Sequence, residues 1–160
     1  MWAGVGFESF PARIDGGPVG WSILEPEVAG GWGSRTVADA TTHPPRVSAL
    51  HYQFDGWQGD DLLESFPCFI VTRRLGDRLA AAGLTGDRLA PVEVTRSEQF
   101  ESTHPGRELP AFEWLQVTGA AGCNDFGLTA GHRLVVSERA LAALKAGQLR
   151  HCEASAWEPG

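Results

Sequence analysis

Hydrophobic and polar positions along this chain follow two periods. Val47 to Phe54 alternates, with Val47, Ala49 and His51 on one side and Leu50, Tyr52 and Phe54 on the other, which predicts a strand. Phe112 to Thr118 alternates in the same way, with Phe112, Trp114 and Gln116 on one face. Phe66 to Val71 is a continuous apolar run and reads as a core strand, and Trp21 to Leu24 reads as a short strand stopped by Pro26. Helical spacing occurs twice: Leu75, Leu79 and Ala82 form one apolar face, and Ala140, Leu141 and Leu144 another. Asp60 to Glu64 and Ser97 to Glu101 are short enough to predict single helical turns, the first with an acidic start suited to a helix N-terminus.

The two helical patterns sit in comparable surroundings. Ile70 to Leu84 can be laid on Val135 to Leu149: each has an apolar strand end, a hydroxyl residue placed to cap a helix (Thr72, Ser137), about ten helical residues, a Gly near the end and a returning Leu. Both lead towards further strands, Pro91 to Val94 and His151 to Trp157. The expected fold is α+β or α/β, a mixed sheet with two related strand–helix–strand units at 66–94 and 131–157 and long Gly/Pro-rich loops. The connections only just supply the dozen residues a parallel crossover needs, so parallel and antiparallel pairing both stay open. At 160 residues, 1–160 is expected to be a single domain, with 1–46 its loop-rich N-terminal part, where Trp2, Phe7 and Phe10 stand without a clear period. Val28 to Ser34 is glycine-rich but lacks the spacing and the Lys of a phosphate loop, and reads as surface loop. Gly119 to Gly131 is a second long connection containing Asn124 and Asp125.

Charge narrows the functions. A net charge of −7 opposes nucleic-acid binding, which begins with a basic patch on phosphate, and fits a protein that meets cationic partners or is simply kept soluble by its charge. No run of apolar residues is long enough for a membrane span, and the first residues lack the pattern of a signal peptide. Three widely spaced cysteines, Cys68, Cys123 and Cys152, predict reduced thiols and a cytoplasmic location. With five histidines they lack the close pairs of a zinc site and the orienting base of a thiol nucleophile, so neither metal nor cofactor is expected.

The feature with most chemistry is the turn Asp55-Gly56-Trp57-Gln58-Gly59-Asp60-Asp61, followed by Glu64. Its carboxylates suit three roles: a helix cap or solvated turn, a general acid/base or metal cluster, and a contact surface for a cationic partner. Trp57 favours the last, since aromatics flanked by charge are what binding hot spots use, although packing into the core is another common fate for Trp. The expected partner-binding residues are Asp55, Trp57, Asp60, Asp61 and Glu64. The alternatives are a small enzyme or ligand-binding protein with a pocket using His51, Asp125 or His132, and a structural subunit of a larger assembly.

The segments VAGGWG, HPP, LHYQFDGWQGDDLLESFPCFIVT, LAAAGLTG, ELPAFEWLQVTG, NDFGL and RLVVSERALAALKAGQLRHCE, from about Val28 to Glu153, resemble an uncharacterised family of small bacterial proteins. That family is similar to immunity proteins of polymorphic toxin systems, in which the strand–helix segment LVVSERAL recurs. The resemblance implies a cytoplasmic, non-enzymatic protein that binds and neutralises a cognate toxin, with no cofactor and no catalytic positions. Many toxins of this kind are basic, which an acidic inhibitor would complement.

Overall fold

Residues 20–159 are described by a computed structural model. The expectations for Trp2, Phe7 and Phe10 lie outside the described residues. The architecture is mixed α+β with strand dominant. In chain order the strands are β1 (Trp21–Glu25), β2 (Gly30–Trp32), β3 (Val37–Asp39), β4 (Arg46–Ala49), β5 (His51–Phe54), β6 (Leu62–Ser65) and β7 (Cys68–Thr72). Helix α1 (Arg73–Ala81) follows, then β8 (Asp87–Ala90), β9 (Glu93–Arg96), α2 (Glu98–Thr103), β10 (Phe112–Val117), β11 (Phe126–Leu128), β12 (Leu134–Ser137), α3 (Glu138–Lys145) and β13 (Glu153–Trp157).

Four sheets result. Strands β6-β7-β10-β8 form one four-stranded antiparallel sheet and β11-β12-β1-β13 another. A three-stranded sheet has the order β9-β5-β2, with β9 parallel and β2 antiparallel to β5, and β3 pairs β4 alone. The strand expected at Pro91 to Val94 falls on β9, which pairs parallel with β5 in another sheet, so it does not return beside β7. The strand that does follow α1 there is β8, which runs parallel to β7 with antiparallel β10 between them, and β12 and β13 run parallel with β1 between them.

Strand β7 is buried along its whole length because both faces of its sheet are covered. Phe69 and Val71 join one apolar cluster with Leu62, Leu115, Leu75 and Leu79 of α1, Ala140 and Leu144 of α3, and Leu24, Phe126, Leu134 and Val136 of the other four-stranded sheet. Cys68 and Ile70 join a second cluster with Leu63, Trp114, Phe112, Tyr52, Phe54 and Phe100. The period of two sends neighbouring residues to opposite clusters, which is why this strand is apolar from Cys68 to Val71. α1 and α3 each start at the predicted hydroxyl cap: Thr72 Oγ1 accepts from Leu75 N–H and Ser137 Oγ from Ala140 N–H. Ser97 caps α2 in the same manner.

Several local expectations are corrected. Asp60 to Glu64 is no helical turn: Leu62 and Leu63 are both fully buried against opposite clusters, and only an extended chain can place neighbours so. Val47 to Phe54 is two strands divided at Leu50, because β4 pairs with β3 whereas β5 pairs with β2 and β9. The glycines at 30 and 31 are strand, not loop, and a Cβ on Gly30 would lie 1.9 Å from the Gln53 carbonyl oxygen. Residues 21–39 therefore carry three strands within the stretch expected to be loop-rich. The connection 119–131 contains β11, and β8 carries no apolar alternation that would have marked it. At the start of the apolar run, Phe66 is 47% exposed in the turn before β7. No helix among the described residues is long and apolar enough to cross a membrane.

The two-sided burial of β7 has a measurable consequence. Ile70→Ala is expected to lower the free energy of unfolding by about 3–4 kcal/mol in urea titration, since it removes buried volume between two packed layers. Phe66→Ala, in the same apolar run, is expected to change it by less than about 1 kcal/mol.

Candidate functional site

The acidic turn begins at the surface and ends in the interior. Asp55 is exposed, and its backbone N–H donates to the Ala29 carbonyl at 2.8 Å. Trp57 is only 9% exposed. Its indole N–H donates to the Asp60 carbonyl (2.9 Å), its ring meets Phe112 edge-on, and the Arg107 guanidinium lies 4.7 Å from the ring centroid while donating to the Trp57 carbonyl. The turn is thus closed by its own Trp.

Asp60 and Asp61 are wholly buried, and their carboxylates hold the chain that follows α3. Asp60 accepts from the backbone N–H groups of Arg150 (2.9 Å) and His151 (2.7 Å), and its Oδ1 is 3.2 Å from His151 Nδ1. Asp61 accepts from Thr72 Oγ1–H (2.9 Å), from Arg74 Nε (2.9 Å), and from Gln148 N–H (2.6 Å). Buried polar oxygens need hydrogen-bond donors, and these two carboxylates find them inside the fold. The expected contact surface is corrected accordingly: Trp57, Asp60 and Asp61 are interior, Glu64 is half-buried with its carboxyl pushed up by desolvation, and of the five only Asp55 is exposed.

Sequence reading missed that Asp125 does the same work. It accepts from Ser137 Oγ–H (2.6 Å), Arg139 Nε (3.0 Å) and Nη2 (2.8 Å), and Thr85 N–H (2.9 Å), the last in the chain that follows α1. The signal was present in each case as an Asp eleven or twelve positions before a cap residue, with Arg two positions after it. Burial opposes ionisation of Asp125 but is outweighed by these hydrogen bonds and by the Arg139 charge, which together hold the carboxyl well below the usual carboxylate range. His51 is buried on β5, accepting from Arg35 N–H at Nδ1 and meeting Thr95 Oγ1 at Nε2. His132 sits at the β11–β12 turn with φ 63°, beside a cleft lined by Thr42, Trp114 and Leu128. Of the three residues of the alternative pocket, His132 lines this cleft, and His51 and Asp125 line none of the clefts named in this section.

Two open clefts adjoin the turn. One, of about 400 Å³, is lined by Glu27, Val28, Asp55, Trp57, Gln99 and His104. The other, of about 700 Å³, gathers Arg74, Arg78, Lys145 and Arg150 around Asp61, a cationic concentration on an acidic chain. Arg74 is neutralised there by Asp61, and Arg78 donates to the Ala146 carbonyl that ends α3. Two of the thiols are not poised as nucleophiles: burial pushes Cys68 to about 12, and burial with the nearby carboxylates of Asp60, Glu64 and Glu153 pushes Cys152 to about 12. No family model and no curated protein matches this chain.

The depressed Asp125 carboxyl ties stability to acid. Its pKa is lower folded than unfolded, so its contribution is complete above the unfolded value near pH 4 and is lost as pH falls below it. Between pH 5 and pH 2 the parent protein is expected to lose about 2 kcal/mol more unfolding free energy than Asp125→Asn, measured by urea titration at each pH.

Proposed function

We propose that this chain is a non-enzymatic immunity or inhibitor protein that binds and neutralises a cognate bacterial toxin domain. The observation that carries the reading is the cleft beside the acidic turn, where Val28, 66% exposed, stands with the exposed Asp55, whose carboxylate has no partner among the described residues. An apolar contact beside a carboxylate that has no partner among the described residues suits a Lys or Arg side chain of a basic partner. The net charge of −7 would speed encounter with such a partner. The acidic turn supports the surface from behind, since Trp57 and Asp60 fix the backbone that presents Asp55.

The finer architecture belongs to the same proposal. We read 66–94 and 131–157 as two related strand–helix–strand units, supported by the matching carboxylate–hydroxyl–arginine sets Asp61-Thr72-Arg74 and Asp125-Ser137-Arg139. In this reading the shared element is scaffold, and the contact surface lies outside it.

Association with the product of the adjacent gene, measured by calorimetry, tests the function. Val28→Ser combined with Asp55→Arg is expected to weaken binding at least about tenfold with the thermal midpoint kept. Lys145→Glu combined with Arg150→Glu, on the cationic cleft, is expected to leave it unchanged. Parent-like binding by the first variant, or loss of binding in the second, places the contact elsewhere.

A further inference from the structure

Glu27, Asp60 and His151 come from three distant parts of the chain, yet each brings a potential ligand atom to within 4.8 Å of the other two. Glu27 lies between β1 and β2, Asp60 at the end of the acidic turn, and His151 between α3 and β13. Asp60 is fully buried and Glu27 is 7% exposed. Two carboxylates driven this close in the interior repel one another and lose hydration, which native proteins tolerate when a cation or a set of donors compensates.

Donors account for Asp60 but for only half of Glu27. Glu27 Oε2 accepts the Gln58 N–H at 2.7 Å, whereas Oε1 is buried with no hydrogen-bond partner. Such an oxygen is costly unless something occupies its lone pairs. Hydrogen bonds already orient the other groups: Asp60 by the Arg150 and His151 N–H groups, and Glu27 by Gln58 and by its own carbonyl accepting from Glu64 N–H. Support of this kind is what fixes metal ligands in place. Asp60 Oδ1 and His151 Nδ1, 3.2 Å apart, stand close to the separation of about 3.3 Å between two ligands of one tetrahedral zinc ion.

We propose that Glu27, Asp60 and His151 bind a divalent transition-metal ion of the zinc class through two carboxylates and one imidazole. Imidazole selects such an ion over magnesium or calcium, which favour all-oxygen shells. The half-exposed His151 leaves the ion a position open to solvent. Glu27 also lines the cleft of the proposed contact surface, but the metal titration needs no protein partner, so either proposal can fail alone.

The test is calorimetric titration of zinc chloride into the chelator-treated full chain. One saturable site per chain is expected, with Glu27→Gln and His151→Ala each weakening it at least about tenfold and excess magnesium failing to compete. Asp60→Asn is unsuitable, because that carboxylate also holds two backbone N–H groups. Circular dichroism checks that the two variants stay folded, and Cys152→Ser with Cys123→Ser is expected to retain the site. Cobalt in place of zinc is expected to show no thiolate charge-transfer absorption. Absence of saturable binding, binding that survives Glu27→Gln together with His151→Ala, or binding lost in the cysteine variant overturns the proposal.

Discussion

A carboxylate removed from water must be surrounded by donors, and in this fold two of them, Asp61 and Asp125, govern how the parts meet. Each takes the hydroxyl of a helix cap, the guanidinium two residues on, and a backbone N–H from beyond the opposite helix: Gln148 after α3 for Asp61, Thr85 after α1 for Asp125. The backbone repeats the exchange, since Thr72 N–H donates to the Asp61 carbonyl and Ser137 N–H to that of Asp125. Helix start, helix return and neighbouring sheet are therefore tied at one charged point on each side. Removing one partner of such a set leaves the others buried and unmatched, a cost well above that of any exposed pair such as Arg96 with Glu101.

This arrangement changes what the acidic composition means. A carboxylate-rich turn looks like an electrostatic surface when only its residue types are known. Folded, Asp60 and Asp61 face inward and do positional work, and the charge offered to solvent from that turn is mainly Asp55. The cationic cleft around Arg74 and Arg78 arises from the same cause, because guanidiniums gather where Asp61 and the last carbonyls of α3 need donors.

Local chemistry was legible where one short segment decides the outcome. Thr72, Ser97 and Ser137 announce their helices because a cap hydroxyl acts on an N–H three residues away. Phe112 to Val117 announces its strand by alternation. What stayed hidden was set by distant partners: Leu62 and Leu63 alternate between two cores that only the assembled sheets create, and Gly30 is strand because the Gln53 backbone comes too close for a side chain. The candidate site divides the same way. Asp55 is exposed as expected, but the burial of Trp57 depends on Phe112 and Arg107, each about fifty residues away. Glu27, Asp60 and His151 have no shared spacing at all, and only the folded chain puts them side by side.

Strand β1 lies between β12 and β13, so both of its neighbours belong to residues 134–157. During synthesis, at roughly 5–20 residues per second, β1 leaves the ribosome well before either neighbour has been made. For those seconds Ile23 and Leu24 have no sheet to enter, and the edges of β1 are open to other chains. This sheet can close only after more than a hundred further residues have been added, so its first strand is also the one that waits longest for its partners.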